Sequence, residues 1–261
     1  MPDAGLFVEE RKIKIVEFLE EHKKATVAQL CDHFGVSSAT IRNDLRDLEN
    51  SQLIVRTHGG AMVRTKTGLE LDSSQKEVQR LEAKQTIAAA ALEMIDDGDT
   101  IILDTGTTTL ELAKRLSERA GITVVTNDLA IALVLEQQQE TDIVFMGGIV
   151  RKKFHCTVSF GDSGAQILPG LVVDKAFMGT NGLSLSRGAT TPDINTAQTK
   201  KLMVSMASSV IVLCDSSKIE KDSFAQFAPL ESIDIIVTES CRESEQARLE
   251  EKGVDVLCCG S

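Results

Sequence analysis

The stretch at 36–49, VSSATIRNDLRDLE, constrains the fold most, because it has the periodicity of a helix with one apolar face. Val36, Ile41, Leu45 and Leu48 recur at helical spacing and are expected to pack inward. Either Ser37 or Ser38 can cap the start of this helix. The polar side chains left on its other faces are Ser38, Thr40, Arg42, Asn43 and Arg46. A helix with such an exposed face is suited to a DNA groove.

The residues before this helix complete a helix-turn-helix pattern. Residues 27–34 form a short amphipathic segment, and Gly35 after it can adopt the positive φ of a tight turn. An earlier segment at 9–22 supplies a third helix. The side chains expected inside are Ile13, Val16, Phe18 and Leu19 in the first helix and Val27, Leu30, Cys31 and Phe34 in the second.

The residues after the polar helix predict a wing. Residues 53–55 have strand character, and RTHGGA at 56–61 turns sharply before the apolar pair Met62 and Val63. A hairpin with a Gly-Gly tip can lie over the DNA backbone or the minor groove. The candidate DNA-binding residues are Ser37, Ser38, Thr40, Arg42, Asn43, Arg46, Arg56 and His58. The alternative interpretation is a small helical domain with a charged surface.

Length and charge favour two domains with different properties. The chain has 261 residues, 42% of them hydrophobic, which suits a DNA-binding domain at 1–64, a linker at 65–74 and an α/β domain at 75–261. The net charge is −11, but residues 1–66 contain 10 Lys and Arg and 10 Asp and Glu, so the excess acid lies in the second domain. Because a neutral module has modest phosphate affinity, we expect a homo-oligomer, a dimer or a tetramer.

Several classes of protein and site are excluded. No apolar run is long enough to cross a bilayer, and the N-terminus lacks the pattern of a signal peptide, so we expect a cytoplasmic protein without a membrane partner. The six cysteines show no CxxC pair and no metal-ligand spacing with the four histidines. We therefore predict no metal site and no cofactor. A redox switch at the vicinal Cys258 and Cys259 remains an alternative.

The rest of the chain alternates strands with helices. A helix is predicted at 75–95, and further helices at 108–116, 129–137, 193–208 and 244–252. Apolar strands are predicted at 100–104, 122–126, 143–146, 175–178, 210–214, 233–238 and 254–258. Strands that are apolar on both faces and alternate with helices predict a mainly parallel sheet covered on both sides.

Ligands of such sheets bind beyond the carboxyl ends of the strands, where this chain has polar loops. DTGTT at 104–108 follows a strand and opens a helix, which favours an anion, although a threonine-rich cap without a ligand is the alternative. Because P-loop and dinucleotide motifs are lacking, a small phosphate ester is favoured over a nucleotide. The candidate effector-binding residues are Asp104, Thr105, Gly106, Thr107, Thr108, Thr126, Asn127, Gly147, Gly148, Arg151, Asn181, Asp215 and Lys218.

These motifs together resemble the DeoR-type bacterial transcriptional regulators. The resemblance rests on 37–45 (SSATIRNDL), Leu48 and 56–61 (RTHGGA), and then on 104–108 (DTGTT), 126–127 (TN), 147–148 (GG), 177–182 (FMGTNG), 188–192 (GATTP) and 215–218 (DSSK). Asn43 departs from the family, which often has a second arginine there, so the operator sequence stays open.

The resemblance implies a function for both domains. It implies a winged helix-turn-helix that binds double-stranded operator DNA and a sensor similar in fold to ribose-5-phosphate isomerase and glucosamine-6-phosphate deaminase. It further implies a phosphorylated sugar or sugar alcohol as effector and repression of a carbohydrate-use operon. The resemblance leaves open which sugar phosphate is bound and which operon is controlled. It also leaves open whether the effector releases the protein from DNA or recruits it, and whether the protein is a dimer or a tetramer.

The alternative function is an enzyme, an isomerase or deaminase that carries a DNA-binding module. It rests on Asp104, Asp128, Asp215 and Lys218, which lie at strand ends where acid and base groups can work. Asp104 and Asp215 can equally cap helices or turns, which is the commoner use of such residues. We therefore expect no enzyme and no catalytic residues.

Overall fold

The computed structural model describes residues 7–50, 53–57, 59–63, 70–158 and 170–260. The chain divides into two compact units, Met1–Gln79 and Arg80–Ser261. The first unit has one hydrophobic core, and the second has a core on each face of its large sheet. Within the described ranges, no helix is long and apolar enough to cross a membrane.

The first unit is a winged helix-turn-helix. Its elements are α1 (Val8–His22), β1 (Lys24–Thr26), α2 (Val27–Phe34), α3 (Ser38–Asn50), β2 (Ile54–Thr57), β3 (Gly60–Val63) and α4 (Ser73–Val78). The strands form an antiparallel sheet in the order β1-β3-β2, so the wing hairpin β2-β3 is joined by β1. The winged helix-turn-helix was predicted from the sequence, whereas the short strand β1 was not.

The turn between α2 and α3 is made as the sequence predicts. Gly35 has φ 65 and donates its N–H to the carbonyl of Cys31 at 2.9 Å, which ends α2. Gly60 in the wing has a different role, because a Cβ atom there would lie 2.0 Å from the carbonyl oxygen of Ala25. The second glycine of the Gly-Gly pair therefore permits β1 to approach β3.

The core of the first unit corrects one detail of the predicted first helix. Ile15, Val16 and Leu19 are fully or almost fully buried, whereas Ile13 and Phe18 are half-buried. The inward face of α1 is therefore centred on Ile15, a position that our choice of Ile13 missed.

The second unit is a seven-stranded parallel sheet with helices on both faces. Its elements are α5 (Leu81–Leu92), β4 (Thr100–Leu103), α6 (Thr107–Ala113), β5 (Ile122–Thr126), α7 (Leu129–Leu135), β6 (Thr141–Phe145), β7 (Ile149–Arg151), β8 (Cys156–Val158), β9 (Val173–Gly179), β10 (Gly182–Ser184), β11 (Gly188–Thr191), α8 (Ile194–Met206), β12 (Ala207–Leu213), β13 (Ala225–Ala228), β14 (Ile235–Thr238), α9 (Glu243–Glu250) and β15 (Asp255–Cys258). The large sheet has the order β15-β14-β12-β9-β4-β5-β6.

Successive side chains of the buried strands point to opposite faces of the sheet and therefore pack in different cores. Ile101 and Leu103 of β4 pack in the core that contains residues of α5, α6 and α7, while Ile102 packs in the core that contains residues of α8 and β13. The parallel pairing of β4 with β5 and β9 confirms the predicted sheet. Continuing the alternation directs Asp104, just after β4, toward the α8 side.

Three features at or after the boundary between the units differ from the sequence prediction. The helix expected at 75–95 is two helices, α4 and α5, separated by Gln79 and Arg80. Arg80 has φ 49 and ψ 40, a left-handed conformation that costs a non-glycine residue on the order of 1 kcal/mol. The β7-β8 hairpin and the small antiparallel sheet β10-β11-β13 were also not predicted.

Candidate DNA-binding and effector-binding sites

Helix α3 is fixed to α1 by a buried ion pair. Nε of Arg11 donates to Oδ2 of Asp44 at 2.7 Å, and Nη2 donates to Oδ1 at 3.1 Å. Arg11 is 8% exposed and Asp44 only 3%, so the two parallel hydrogen bonds are formed out of water. The hydrogen bond to Asp44 raises the pKa of Arg11. Sequence reasoning missed the pair, although Asp44 follows Ile41 at the spacing of the inward face.

The start of α3 is capped by Ser37, one of the two serines predicted for this role. The N–H of Thr40 donates to Oγ of Ser37 at 3.2 Å, and the two hydroxyls are 2.9 Å apart. Ser38 is exposed in the first turn, and Thr40 is half-buried. The side chains of Ser37 and Thr40 therefore form hydrogen bonds within the helix start that is predicted to contact DNA.

The outer face of α3 presents three of the predicted contacts. Arg42, Asn43 and Arg46 are all exposed. A guanidinium N–H of Arg46 donates to Oδ1 of Asn43. Within the described residues, no hydrogen bond or ion pair engages the guanidinium of Arg42. Arg42 is thus the arginine of this face whose side chain is available to a base edge or a phosphate.

The wing contributes one described candidate. Arg56 is exposed on β2, its N–H donates to Oε1 of Glu49 at 3.3 Å, and its Nη1 lies 3.8 Å from Oε2 of the same carboxylate. This contact ties the base of the wing to the last turn of α3. His58 lies outside the described residues.

The second candidate site lies where the order of the strands in the large sheet reverses relative to the chain. From β4 the strand order runs through β5 to β6 on one side, and from β9 through β12 and β14 to β15 on the other. The switch point is therefore between β4 and β9, where open α/β sheets bind their ligands beyond the carboxyl ends. The loops at this point begin with Asp104 and Thr180.

A buried ion pair joins these two loops. Asp104 is fully buried and Lys200 of α8 is 3% exposed. Oδ2 of Asp104 accepts from the N–H of Gly179 at 3.0 Å and from Nζ of Lys200, which also donates to the carbonyl of Gly179 at 3.0 Å. Burial raises the pKa of Asp104, and the ammonium of Lys200 opposes that rise. Sequence reasoning missed Lys200, because the Lys200-Lys201 pair has the pattern of a solvated helix face.

The next residue of the loop is tied to the cap of α7. Thr105 donates its hydroxyl to Oδ2 of Asp128 at 2.6 Å, and Oδ1 of Asp128 accepts from the N–H groups of Ala130 at 2.8 Å and Ile131 at 3.2 Å. Burial raises the pKa of Asp128, and these hydrogen bonds oppose the rise. Asp128 therefore caps α7, a role that the sequence did not predict for it.

Gly106 and the threonines after it begin α6. The carbonyl of Gly106 accepts from the N–H of Leu110 at 2.9 Å and from the hydroxyl of Thr109 at 2.8 Å. Thr107 is half-buried and Thr108 is buried. The predicted loop thus leads into a helix at the switch point whose start has no side-chain cap.

The loop after β5 contacts the unpredicted β7-β8 hairpin. Thr126 accepts from the N–H of Asp128 at 3.1 Å, and Nδ2 of Asn127 donates to the carbonyl of Thr157 at 2.8 Å. Oδ1 of Asn127 and Oδ1 of Asp104 are buried acceptors without a partner among the described residues. These two oxygens follow neighbouring strands of the sheet.

The hairpin also carries three predicted residues. Gly147 and Gly148 are exposed and lead into β7. Nη1 of Arg151 donates to Oγ1 of Thr196 at 2.8 Å, and its guanidinium lies 4.0 Å from the ring centroid of Phe154. Arg151 therefore ties the hairpin to the first turn of α8. In the loop after β9, Oδ1 of Asn181 accepts from the hydroxyl of Thr191 at 3.2 Å.

The loop after β12 holds Asp215 and Lys218 in a charged cluster. Asp215 accepts from the N–H of Ser217 at 3.1 Å, and its Oδ1 lies 3.3 Å from Nε of Arg80. Burial acts to raise the pKa of Asp215, but Lys218, the Ser217 hydrogen bond, Arg80 and Lys84 together bring it below its usual value. Within the described residues, no hydrogen bond or salt bridge engages the half-buried Lys218. Its ammonium is therefore available to an anion.

The predicted effector residues thus follow β4, β5, β6, β9 and β12, and the carboxyl ends of these parallel strands share one edge of the sheet. A winged helix-turn-helix joined to an α/β unit with polar loops at its switch point defines a DNA-binding transcriptional regulator with a sensor domain.

Comparison with protein families gives the particular family. Residues 11–67 match the DeoR-like helix-turn-helix domain, and residues 79–240 match the DeoR C terminal sensor domain. The chain belongs to the DeoR family of transcriptional regulators.

Similar proteins carry names of the same kind. The HTH-type transcriptional regulator GlpR of Haloferax volcanii is 39% identical over 95% of this chain and 96% of its own length. The HTH-type transcriptional repressor GlcR of Bacillus subtilis is 35% identical over 97% of this chain and 96% of its own. The transcriptional repressor AccR of Agrobacterium fabrum is 34% identical over 89% of this chain and 90% of its own.

Among solved structures, D-ribose-5-phosphate isomerase in complex with phospho-erythronic acid matches with 21% identity and a TM-score of 0.40. The match covers 53% of this chain and 54% of that chain.

Proposed function

We propose that this protein represses an operon for the use of a carbohydrate or sugar alcohol, and that a phosphorylated sugar or polyol relieves the repression. The observation that carries the proposal is the set of hydroxyl, amide and cationic side chains at the switch-point edge of the sensor sheet. Hydroxyls and amides suit a polyol, and cations suit its phosphate.

Lys218 is the proposed ligand of the phosphate. Its ammonium is half-buried and has no hydrogen bond or salt bridge to the described residues, whereas Arg151 already donates to Thr196. A phosphate held by Lys218 would place the rest of the effector toward Asn181 and the loop after β4, since β9 and β4 follow β12 in the sheet. Thr105, Asn127 and Asn181 supply hydrogen-bonding groups for its hydroxyls.

We propose binding without turnover. Each aspartate on which an enzymatic function would rest already has structural partners: Asp104 pairs with Lys200, Asp128 caps α7, and Asp215 caps a turn and contacts Arg80. A general acid or base needs a carboxyl group that can reach the reacting proton. These contacts favour a sensor over an isomerase or deaminase.

On the DNA side, α3 is the proposed recognition helix. Arg42, Asn43 and Arg46 would meet base edges and phosphates in the major groove, with Ser37, Ser38 and Thr40 at the helix start. Arg56 and His58 would meet the backbone or the minor groove. Because one module covers one half-site, the proposed working unit is a homo-oligomer, a dimer or a tetramer.

A thermal-shift screen of the full chain tests the sensor. Phosphorylated sugars and polyols are compared with their unphosphorylated parents and with inorganic phosphate. At a hundred times its dissociation constant, a bound ligand stabilises by about 2.7 kcal/mol. We expect a shift with at least one phosphate ester and none with its parent. If no compound of the panel stabilised the chain, the loops at the switch point would be helix starts and turns that bind no effector.

A further inference from the structure

Arg80 lies at the boundary between the two units. It directly follows Gln79, the last residue of the first unit, and it separates α4 from α5. Its φ of 49 and ψ of 40 are left-handed, which side chains other than glycine seldom adopt. Such a conformation persists only where surrounding contacts hold it. The contacts of the Arg80 side chain therefore bear on the backbone at the boundary.

Those contacts come from the loop proposed to bind the effector and from the loop after β14. Nε of Arg80 lies 3.3 Å from Oδ1 of Asp215. Nη2 donates to Oγ of Ser216 at 2.8 Å and to Oε1 of Glu239 at 2.7 Å. Arg80, Asp215, Ser216 and Glu239 are called the Arg80 clasp below.

The two loops of the clasp are also hydrogen-bonded directly to each other. Ser216 donates its N–H to Oε2 of Glu239 at 2.9 Å and its hydroxyl to Oε1 at 2.6 Å. Asp215 is buried, while the Arg80 side chain is 38% exposed and the Glu239 side chain 14%. The guanidinium thus holds two sensor loops and the boundary backbone in one hydrogen-bonded group.

Charge links the clasp to the proposed phosphate ligand. Lys218 and Arg80 both act on the carboxylate of Asp215, and both favour its charged form. A phosphate bound to Lys218 adds negative charge beside Asp215 and competes for Lys218. The share of Arg80 in neutralising the carboxylates of Asp215 and Glu239 then changes.

We infer that Arg80 is the positioning residue through which an effector at 215–218 changes the backbone between the DNA-binding unit and the sensor. The inference rests on the proposed function and adds the route by which effector binding is coupled to operator affinity. Coupling of this kind is measured by the factor by which one ligand changes the affinity for the other.

The experiment compares operator affinity of the full chain with and without effector. The operator is a duplex that the wild-type protein selects from a random library, and the probes are glucose 6-phosphate, fructose 6-phosphate, ribose 5-phosphate and glycerol 3-phosphate. For a coupled wild type, a probe should change the operator dissociation constant by a factor in the range of about 5 to 150.

Two variants remove the clasp to different degrees. Arg80→Gly keeps the left-handed backbone accessible and removes the guanidinium. We expect it to bind operator and probe separately, with a coupling factor near 1. Arg80→Lys keeps one charge but cannot engage the three acceptors as a guanidinium does, so an intermediate factor is expected. Arg248→Ala, which removes an exposed arginine paired with Glu220 at 3.0 Å, is the matched control and should keep the wild-type factor.

The outcomes separate the inference from the proposed function. If a probe that stabilises the wild type in the thermal-shift screen leaves its operator affinity unchanged, the proposed function fails. If the wild type is coupled and Arg80→Gly is equally coupled, only the role of Arg80 is overturned. Should Arg80→Gly not fold, Arg80→Lys decides, and a wild-type coupling factor in that variant overturns the inference.

Discussion

At the scale of single residues, the sensor depends on a buried charge pair that composition and periodicity did not predict. Asp104 was predicted as an effector residue, but its main partners are Lys200 and the backbone of Gly179. Lys200 lies 96 residues away in sequence and is followed by a second lysine, so no local pattern marks it as buried. Only the strand order, which places β4 beside β9, brings these groups together.

Removing Lys200 tests how much this ion pair matters for the stability of the second unit. Lys200→Met leaves Asp104 buried and unpaired, and we expect the second unit to lose about 3 kcal/mol in free energy of unfolding at pH 7.5. Denaturant unfolding measures this loss. Lys201→Met, which changes the exposed neighbour, is the control and should stay within about 0.5 kcal/mol of wild type. Equal effects of both variants would contradict the role of the buried pair.

The same variant should show a defined pH dependence. Burial raises the pKa of Asp104 above its usual value, and loss of Lys200 removes a group that opposes the rise. A carboxyl group with a raised pKa in the folded state destabilises that state as the pH rises above the unfolded pKa of about 3.9. Lys200→Met should therefore recover stability relative to wild type between pH 7.5 and pH 5. If the loss of stability in Lys200→Met were the same at every pH, Asp104 would not be its cause.

Arg42 is the second prediction at this scale. Arg42→Ala removes the exposed guanidinium that no described residue engages, and folding should be unaffected. We expect the ratio of specific to non-specific DNA affinity to fall by roughly 5- to 150-fold, the worth of one bidentate base contact. Titrations at several salt concentrations check that sequence-specific binding is lost and that the salt-dependent contacts to DNA phosphates are kept. An unchanged ratio would remove Arg42 from the recognition surface.

At the scale of elements, the sequence was informative where strands and helices are buried and long. The parallel strands of the large sheet were found from apolar runs, because burial on both faces leaves no polar alternation. The β10-β11-β13 sheet was missed, since strands such as GATT at 188–191 are short and carry little apolar pattern. The break at Arg80 was missed because neither Gly nor Pro marks it and because its side-chain partners Ser216 and Glu239 lie 136 and 159 residues away in sequence.

The placement of α3 on α1 gives a prediction for the DNA-binding unit. Arg11→Met leaves Asp44 buried without its bidentate partner, and we expect a loss of about 3 kcal/mol in the stability of the first unit, with operator affinity falling in parallel. Unfolding followed by hydrogen exchange in α3 measures it. Lys12→Met is the control, because Lys12 pairs with exposed carboxylates on Glu9 and Asp47, and surface pairs contribute about 0 to 1 kcal/mol. Wild-type stability of Arg11→Met would contradict the account of α3.

At the scale of the whole molecule, DNA recognition and effector sensing are assigned to different units. The net charge of −11 resides outside residues 1–66, so the affinity for the phosphates of the DNA backbone must come from the DNA-binding unit and not from the acidic sensor. Paired modules in an oligomer would add their contacts, which is the reason for proposing a dimer or tetramer. Regulation then requires that effector binding in the sensor change operator affinity, which the Arg80 clasp is proposed to transmit.

The measurement that tests this account most directly is operator binding by the full chain, titrated with a phosphorylated sugar or polyol that stabilises it in the thermal-shift screen. The account predicts that the phosphate ester weakens operator binding by a factor in the range of about 5 to 150, while its unphosphorylated parent does not. A phosphate ester that binds the sensor and leaves operator affinity unchanged would contradict the account.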